Sequence, residues 1–108
     1  MVYRIGYGGP AYSIQSTEVF EVWFERLKDR RARARIQARI DRAEDGHFGD
    51  CKPVGEGVSE MRIHHGPGYR IYFRQMGSEV IILLAGGDKS TQASGIRTAL
   101  RLARRVEV

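Results

Sequence analysis

The stretch EMRIHHGPGYRIYF, residues 60–73, decides how this chain is read. Two alternating runs flank Gly-Pro-Gly, the layout of an antiparallel hairpin closed by a tight turn. With a side-chain period of two, Met61 and Ile63 share one face with Tyr69, Ile71 and Phe73 across the turn. Glu60, Arg62 and His64 then fall on the other face, together with Arg70, Tyr72 and Arg74. Like charges directly opposite one another on paired strands destabilise the pair by a few tenths to about 1 kcal/mol. An anion between the guanidiniums relieves that repulsion, and the arginine fork matches phosphate oxygens. The expectation is an exposed anion-binding patch of Arg62, His64, Arg70, Tyr72 and Arg74. The plainer alternative pairs Glu60 with one arginine and leaves the others solvated. Tyr72 is either a flat surface on which an RNA base stacks or an ordinary strand aromatic. His64 is a candidate proton carrier near neutral pH.

Outward from the hairpin the chain reads as one α+β domain. EVIILLAGG, residues 79–87, is apolar on both faces, which predicts a central strand. DKSTQ follows with Ser90 or Thr91 as a helix cap. Ile96, Ala99, Leu100 and Ala103 then line one side of a C-terminal helix that carries Arg97, Arg101, Arg104 and Arg105. Upstream, YSIQST, residues 12–17, reads as a short strand, with Ser16 or Thr17 capping a helix whose apolar stripe is Phe20, Trp23, Phe24 and Leu27. Asp29 caps a second helix that Gly46 ends. Its narrow apolar face is Ala32, Ile36, Ile40 and Ala43, and Arg31, Arg33, Arg35, Arg39 and Arg42 surround it. Those arginines read first as a solvated face balanced by Asp41, Glu44 and Asp45, with Arg35 and Arg39 as candidates for RNA contact. Residues 46–57 are loop-like, with Lys52 entering a short strand. Residues 1–11 read as an irregular lead-in to a single domain over 12–108.

At 108 residues, 42% of them hydrophobic, the chain suits one compact domain. Eighteen Lys and Arg against thirteen Asp and Glu leave a net charge of +5, which points to a polyanionic partner. A single cysteine, Cys51, excludes an internal disulfide framework and a cysteine-rich zinc site. The longest apolar run, residues 80–85, suits a strand and not a membrane span, and the N-terminus lacks a basic-then-apolar leader. The expectation is a soluble cytoplasmic protein. AGGDKS lacks the first glycine and the spacing of a phosphate loop. Neither a nucleophile triad, a carboxylate pair nor a metal-ligand cluster is evident, so no cofactor and no metal are expected.

Three runs in order, GD.K.VG.GV.E.RI, GPGYR.YF and GGDKS.Q, resemble the addiction-module killer proteins. These are toxins of type II toxin–antitoxin systems in the RelE/ParE superfamily, in its HigB-like and phage Gp49-like group, and the resemblance covers residues 12–100. It implies a RelE/ParE-like (microbial RNase-like) α+β fold, an antiparallel sheet with two N-terminal helices and a C-terminal helix. It also implies a ribosome-dependent mRNA endonuclease that needs no metal, in which a ribose 2′-OH attacks the adjacent phosphate to leave a 2′,3′-cyclic phosphate. Arg70 of GYR matches the arginine that such toxins use near the scissile phosphate. Arg62 falls where relatives have basic strand residues, and Lys89 falls near a basic site after the central strand. Tyr72 and His64 complete the candidate catalytic set, and Lys52, Arg74, Arg35 and Arg39 the RNA-binding set. The chain departs from some relatives in having no tyrosine after Gln92, and no general base is evident, so His64, Lys52 or Lys89 would serve. The implied partners are a cognate antitoxin of helix-turn-helix type from the adjacent gene, mRNA on the ribosome, and operator DNA through the antitoxin complex, with no membrane. The alternative within the superfamily is a ParE-type DNA gyrase inhibitor without nuclease activity. A third reading is a nucleic-acid-binding module without catalysis.

Overall fold

The computed structural model describes residues 11–106. Of the lead-in expected over residues 1–11, all but Ala11 lies outside them, as do residues 107–108. The chain runs β1 (Ser13–Ser16), α1 (Glu18–Arg26), α2 (Arg30–Glu44), β2 (Cys51–Gly55), β3 (Val58–Ile63), β4 (Tyr69–Met76), β5 (Val80–Asp88), a 3-10 turn (Lys89–Thr91) and α3 (Gln92–Arg105). The strands form one five-stranded sheet in the order β1-β5-β4-β3-β2. β5 is an interior strand between β1 and β4, as its two apolar faces require.

The sheet is mixed, which corrects the antiparallel expectation. β2, β3, β4 and β5 pair antiparallel, but β1 lies parallel to β5, with Ser13 opposite Val80. The physical reason is the connection. The chain leaves β1 through two helices and returns at the far edge, so β1 is free to pair with the last strand in the same direction.

Local chemistry sets the helix ends. Thr17 Oγ1 accepts from Phe20 N at 3.1 Å and donates to Leu84 O at 2.7 Å, so the cap of α1 is also a tie to β5. Asp29 Oδ1 accepts from the amides of Arg31 and Ala32 at 3.0 and 3.1 Å and starts α2. Asp88 caps the 3-10 turn by accepting from Ser90 N at 2.9 Å, while Thr91 Oγ1 accepts from Asp88 N at 3.0 Å.

Both faces of the sheet are covered. On the first, Met61, Ile63, Tyr69, Ile71, Phe73, Ile81 and Leu83 pack against Phe20 of α1 and against Ala32, Ile36, Ile40 and Ala43 of α2. On the second, Val58, Tyr72, Ile82, Leu84 and Ala85 pack against Ala99 and Ala103 of α3. A register shift between Tyr72 and Phe73 lets Leu84 and Ala85 both serve this second core. The face that the hairpin pattern assigned to solvent is therefore largely roofed by α3.

Candidate functional site

The hairpin parity holds. Arg62 lies opposite Arg70, and Glu60 opposite Tyr72. Lys52 on β2 is the other neighbour of Glu60, which puts it in the same cross-sheet row. At the centre of this face is Glu60, wholly inaccessible at 0% exposure. Its Oε1 accepts from Arg62 Nε at 2.9 Å and stands 3.7 Å from Arg70 Nε, while Oε2 accepts from Gln92 Nε2 at 2.7 Å. Burial pushes the Glu60 carboxyl up, but the hydrogen bonds from Gln92 and Arg62 and the charges of Arg70 and Arg62 outweigh it. The carboxyl lies below its ordinary value and is ionised.

The two arginines differ in access. Arg62 keeps 30% of its side chain exposed, and the hydrogen bond and charge of Glu60 raise its pKa. Arg70 is only 8% exposed. Its Nη1 donates to Gly68 O at 3.0 Å and Tyr69 O at 3.3 Å, and its buried Nε makes no hydrogen bond among the described residues. Lys89 is exposed on the 3-10 turn at this end of the sheet. A Cβ built on Gly68 would meet Arg70 Nη1 at 3.4 Å and Lys89 Cβ at 3.5 Å, so the two basic side chains border one spot.

The structure thus places Arg62, Arg70 and Lys52 around Glu60, with Lys89 next to Arg70 at Gly68. The other expected residues sit elsewhere. Tyr72 is 0% exposed and offers no ring face to a base, which corrects the stacking expectation. Gly95 of α3 lies on it so closely that a Cβ there would stand 2.7 Å from the ring. Burial first, and then the Glu60 carboxylate, push its phenol up to about 12. Arg74 is on the same face at the far end, where Nη1 donates to Ala103 O at 3.1 Å. His64 lies past the end of β3, with Nε2 2.6 Å from Asp50 Oδ2, and faces α2 in place of the Arg62–Arg70 pair. Arg39 on α2 donates to the carbonyls of Arg62 at 2.6 Å and Phe48 at 2.9 Å and is a structural clamp.

Gln92 was missed by the sequence reading and Glu60 was given only a pairing role. The signal for both was present, since the glutamate of GV.E.RI and the glutamine of GGDKS.Q belong to the resembling runs. What a linear reading lacks is their 32-residue separation closing to a hydrogen bond.

Comparison with known proteins agrees with this architecture. Residues 22–106 match the family model of the phage-derived protein Gp49-like family. A Haemophilus influenzae relative described as an uncharacterized protein is 48% identical over 90 residues, covering 83% of this chain and 91% of its own. The free-state structure of a double-arginine mutant of the E. coli toxin RelE superposes with a TM-score of 0.67 at 16% identity, over 90% of this chain and 99% of that one. The chain belongs to the Gp49-like family, a RelE/HigB-type toxin family, and has the RelE fold.

Proposed function

We propose that this Gp49-like protein is the toxin of a type II toxin–antitoxin pair, acting in the cytoplasm as a ribosome-dependent mRNA endonuclease. A helix-turn-helix antitoxin from the adjacent gene neutralises it and carries the complex to operator DNA. The observation that carries the reading is the Arg62–Glu60–Arg70 cluster flanked by Lys52 and Lys89. One carboxylate set against two guanidiniums leaves net positive charge, held in place before any substrate arrives.

In the reaction the ribose 2′-oxygen bonds to the adjacent phosphorus while the bond from phosphorus to the 5′-oxygen breaks. One proton leaves the 2′-OH and one reaches the departing oxygen. Arg62, the more exposed guanidinium, receives the phosphorane oxygens, and Arg70 adds positive charge from beneath. The two proton transfers fall to Lys52 and Lys89, which stand on either side. His64 is assigned no step, because it faces α2.

One observation favours the second reading, a ParE-type gyrase inhibitor. Arg70 and Tyr72 are buried, so the surface of the cluster is Arg62 and the lysines alone. Sequencing RNA ends after brief induction separates the two. Discrete cuts within translated codons, with cyclic phosphate ends, support the nuclease; intact messages accompanied by DNA breaks support gyrase inhibition. Arg62→Ala and Arg70→Ala are expected to lower cutting by about 10²-fold or more, the usual loss when one charge-stabilising donor is removed. A folded variant of either kind that still cuts fully refutes the assignment.

A further inference from the structure

A second basic surface lies on the opposite side of the sheet, where α2 meets the end of β3. Arg35, Ala38, Arg39, Arg42, Ile63 and His64 line a groove there of about 340 Å³. Arg35, Arg39 and Arg42 stand four and three residues apart, so they form one stripe along the helix. The middle residue is fixed. Arg39 donates to the carbonyls of Phe48 and Arg62, and it packs so closely on Gly49 that a Cβ there would stand 2.8 Å from Nη2. The outer two are not. Neither Arg35 nor Arg42 makes a side-chain hydrogen bond or ion pair among the described residues.

The sequence expectation that acids on α2 balance these arginines does not hold. Asp41 accepts from Gln37 at 2.9 Å, and Glu44 and Asp45 make no side-chain ion pair among the described residues. Asp50, beside the groove, is hydrogen-bonded to His64 Nε2 at 2.6 Å. The two uncompensated arginines are seven residues apart, so their backbone positions are about 10 Å apart along the helix. They flank a third that is immobilised, with a histidine ring on the facing wall.

We infer that this groove binds the phosphate backbone of single-stranded RNA, with Arg35 and Arg42 as the phosphate contacts and Arg39 as the clamp that holds the groove open. The inference rests on RNA being the substrate, as proposed above, and adds a binding surface separate from the Arg62–Arg70 cluster. Arg39 connects the two, because the carbonyl that it holds belongs to Arg62.

The test is fluorescence anisotropy with a labelled 2′-O-methyl dodecaribonucleotide, which binds but lacks the attacking hydroxyl, read across salt concentrations with the full chain. Arg35→Ala with Arg42→Ala is expected to weaken binding roughly ten-fold and to flatten the log–log salt slope by about 1.4, two phosphate contacts at about 0.7 each. Arg30→Ala with Arg33→Ala removes the same charge from the other side of α2 and is expected to leave the slope unchanged. Equal losses in both pairs, or no loss in the first, overturn the groove. So does an unchanged RNA affinity with a lost affinity for polyglutamate, which makes the groove a site for an acidic protein segment. Cleavage of ribosome-bound message is scored separately. Cutting that persists while the groove pair has no effect on binding removes the groove and keeps the nuclease, and groove-dependent binding without cutting does the reverse.

Discussion

Glu60→Ala measures how far one buried carboxylate organises the basic face. The substitution removes the acceptor of the 2.7 Å Gln92 bond and the 2.9 Å Arg62 bond and the counter-charge 3.7 Å from Arg70 Nε. Arg62 reaches water and re-solvates, but Arg70, at 8% exposure, has little water to turn to. Deleting one partner of a buried pair costs about 3–5 kcal/mol, and the solvated Arg62 argues for the lower end. At about 4–8 °C per kcal/mol for a domain near this size, a loss of about 3 kcal/mol lowers the melting temperature by about 12–24 °C. The carboxyl has its folded pKa below the ordinary 4.5, so its contribution is complete above that value and is lost as the pH falls through the lower, folded one. Urea unfolding of wild type and variant should therefore differ by a constant amount from neutral pH down to about 5 and converge in stronger acid. A difference under about 1 kcal/mol at neutral pH, or one that persists undiminished where wild-type Glu60 is protonated, refutes the reasoning.

Three further outcomes are expected. Thr17→Ala loses both the cap of α1 and the bond to Leu84 O, and should lower stability by about 1–2 kcal/mol; an unchanged thermal melt contradicts this. Gly86→Ala places a Cβ 2.1 Å from the Trp23 ring and should cost about 1–3 kcal/mol in denaturant titration. In a Trp23→Ala background that cost should vanish, and simple additivity of the two substitutions would show that the ring is not what excludes the methyl. Tyr72→Phe keeps the buried ring and loses the phenol's 3.5 Å bond to Gln92 O and its hydrogen bond with Glu60, which Arg62 and Gln92 still hold, so growth inhibition and RNA cutting should change less than about two-fold. A loss on the order of 10²-fold would instead make the hydroxyl a catalytic acid.

Much of the fold could be read from local pattern, because local pattern is where those signals originate. The parity of residues 60–73, the caps at Thr17 and Asp29 and the buried stripe of α2 all depend on neighbours within a few positions. The errors have the opposite character. Four residues of β1 carry no mark of strand direction, and the parallel pairing follows only from the path through two helices. The outward hairpin face looked solvated because its residues are charged, yet β5 is apolar on both faces and needs cover on each. The apolar stripe of α3 was visible, but its seat against Tyr72 requires the absence of a side chain at Gly95, twenty-three positions away. His64 was assigned by extending the alternation one residue past Ile63, where β3 ends and the rule with it.

Charge on the second face is what a purely structural account leaves without a reason. An apolar residue at position 60 would pack beside Tyr72 and under the start of α3 without desolvating an ion, and replacing buried ion pairs with apolar groups is often neutral or stabilising. The chain instead holds an ionised carboxylate at full burial, and three groups are tied to it: it accepts from Arg62 on its own strand and from Gln92 at the start of α3, and it stands 3.7 Å from Arg70 Nε across the hairpin. Two of those three are cations, so the arrangement overcompensates the buried charge and does not merely cancel it. Behind Arg62, Arg39 reaches from α2 to hold the same residue's carbonyl at 2.6 Å. The Arg62 guanidinium is held by Glu60 of its own strand on one face of the sheet and its carbonyl by α2 on the other, so the residue is held for geometry. That geometry presents positive charge at a sheet surface, as the proposed cleavage of a phosphodiester would require.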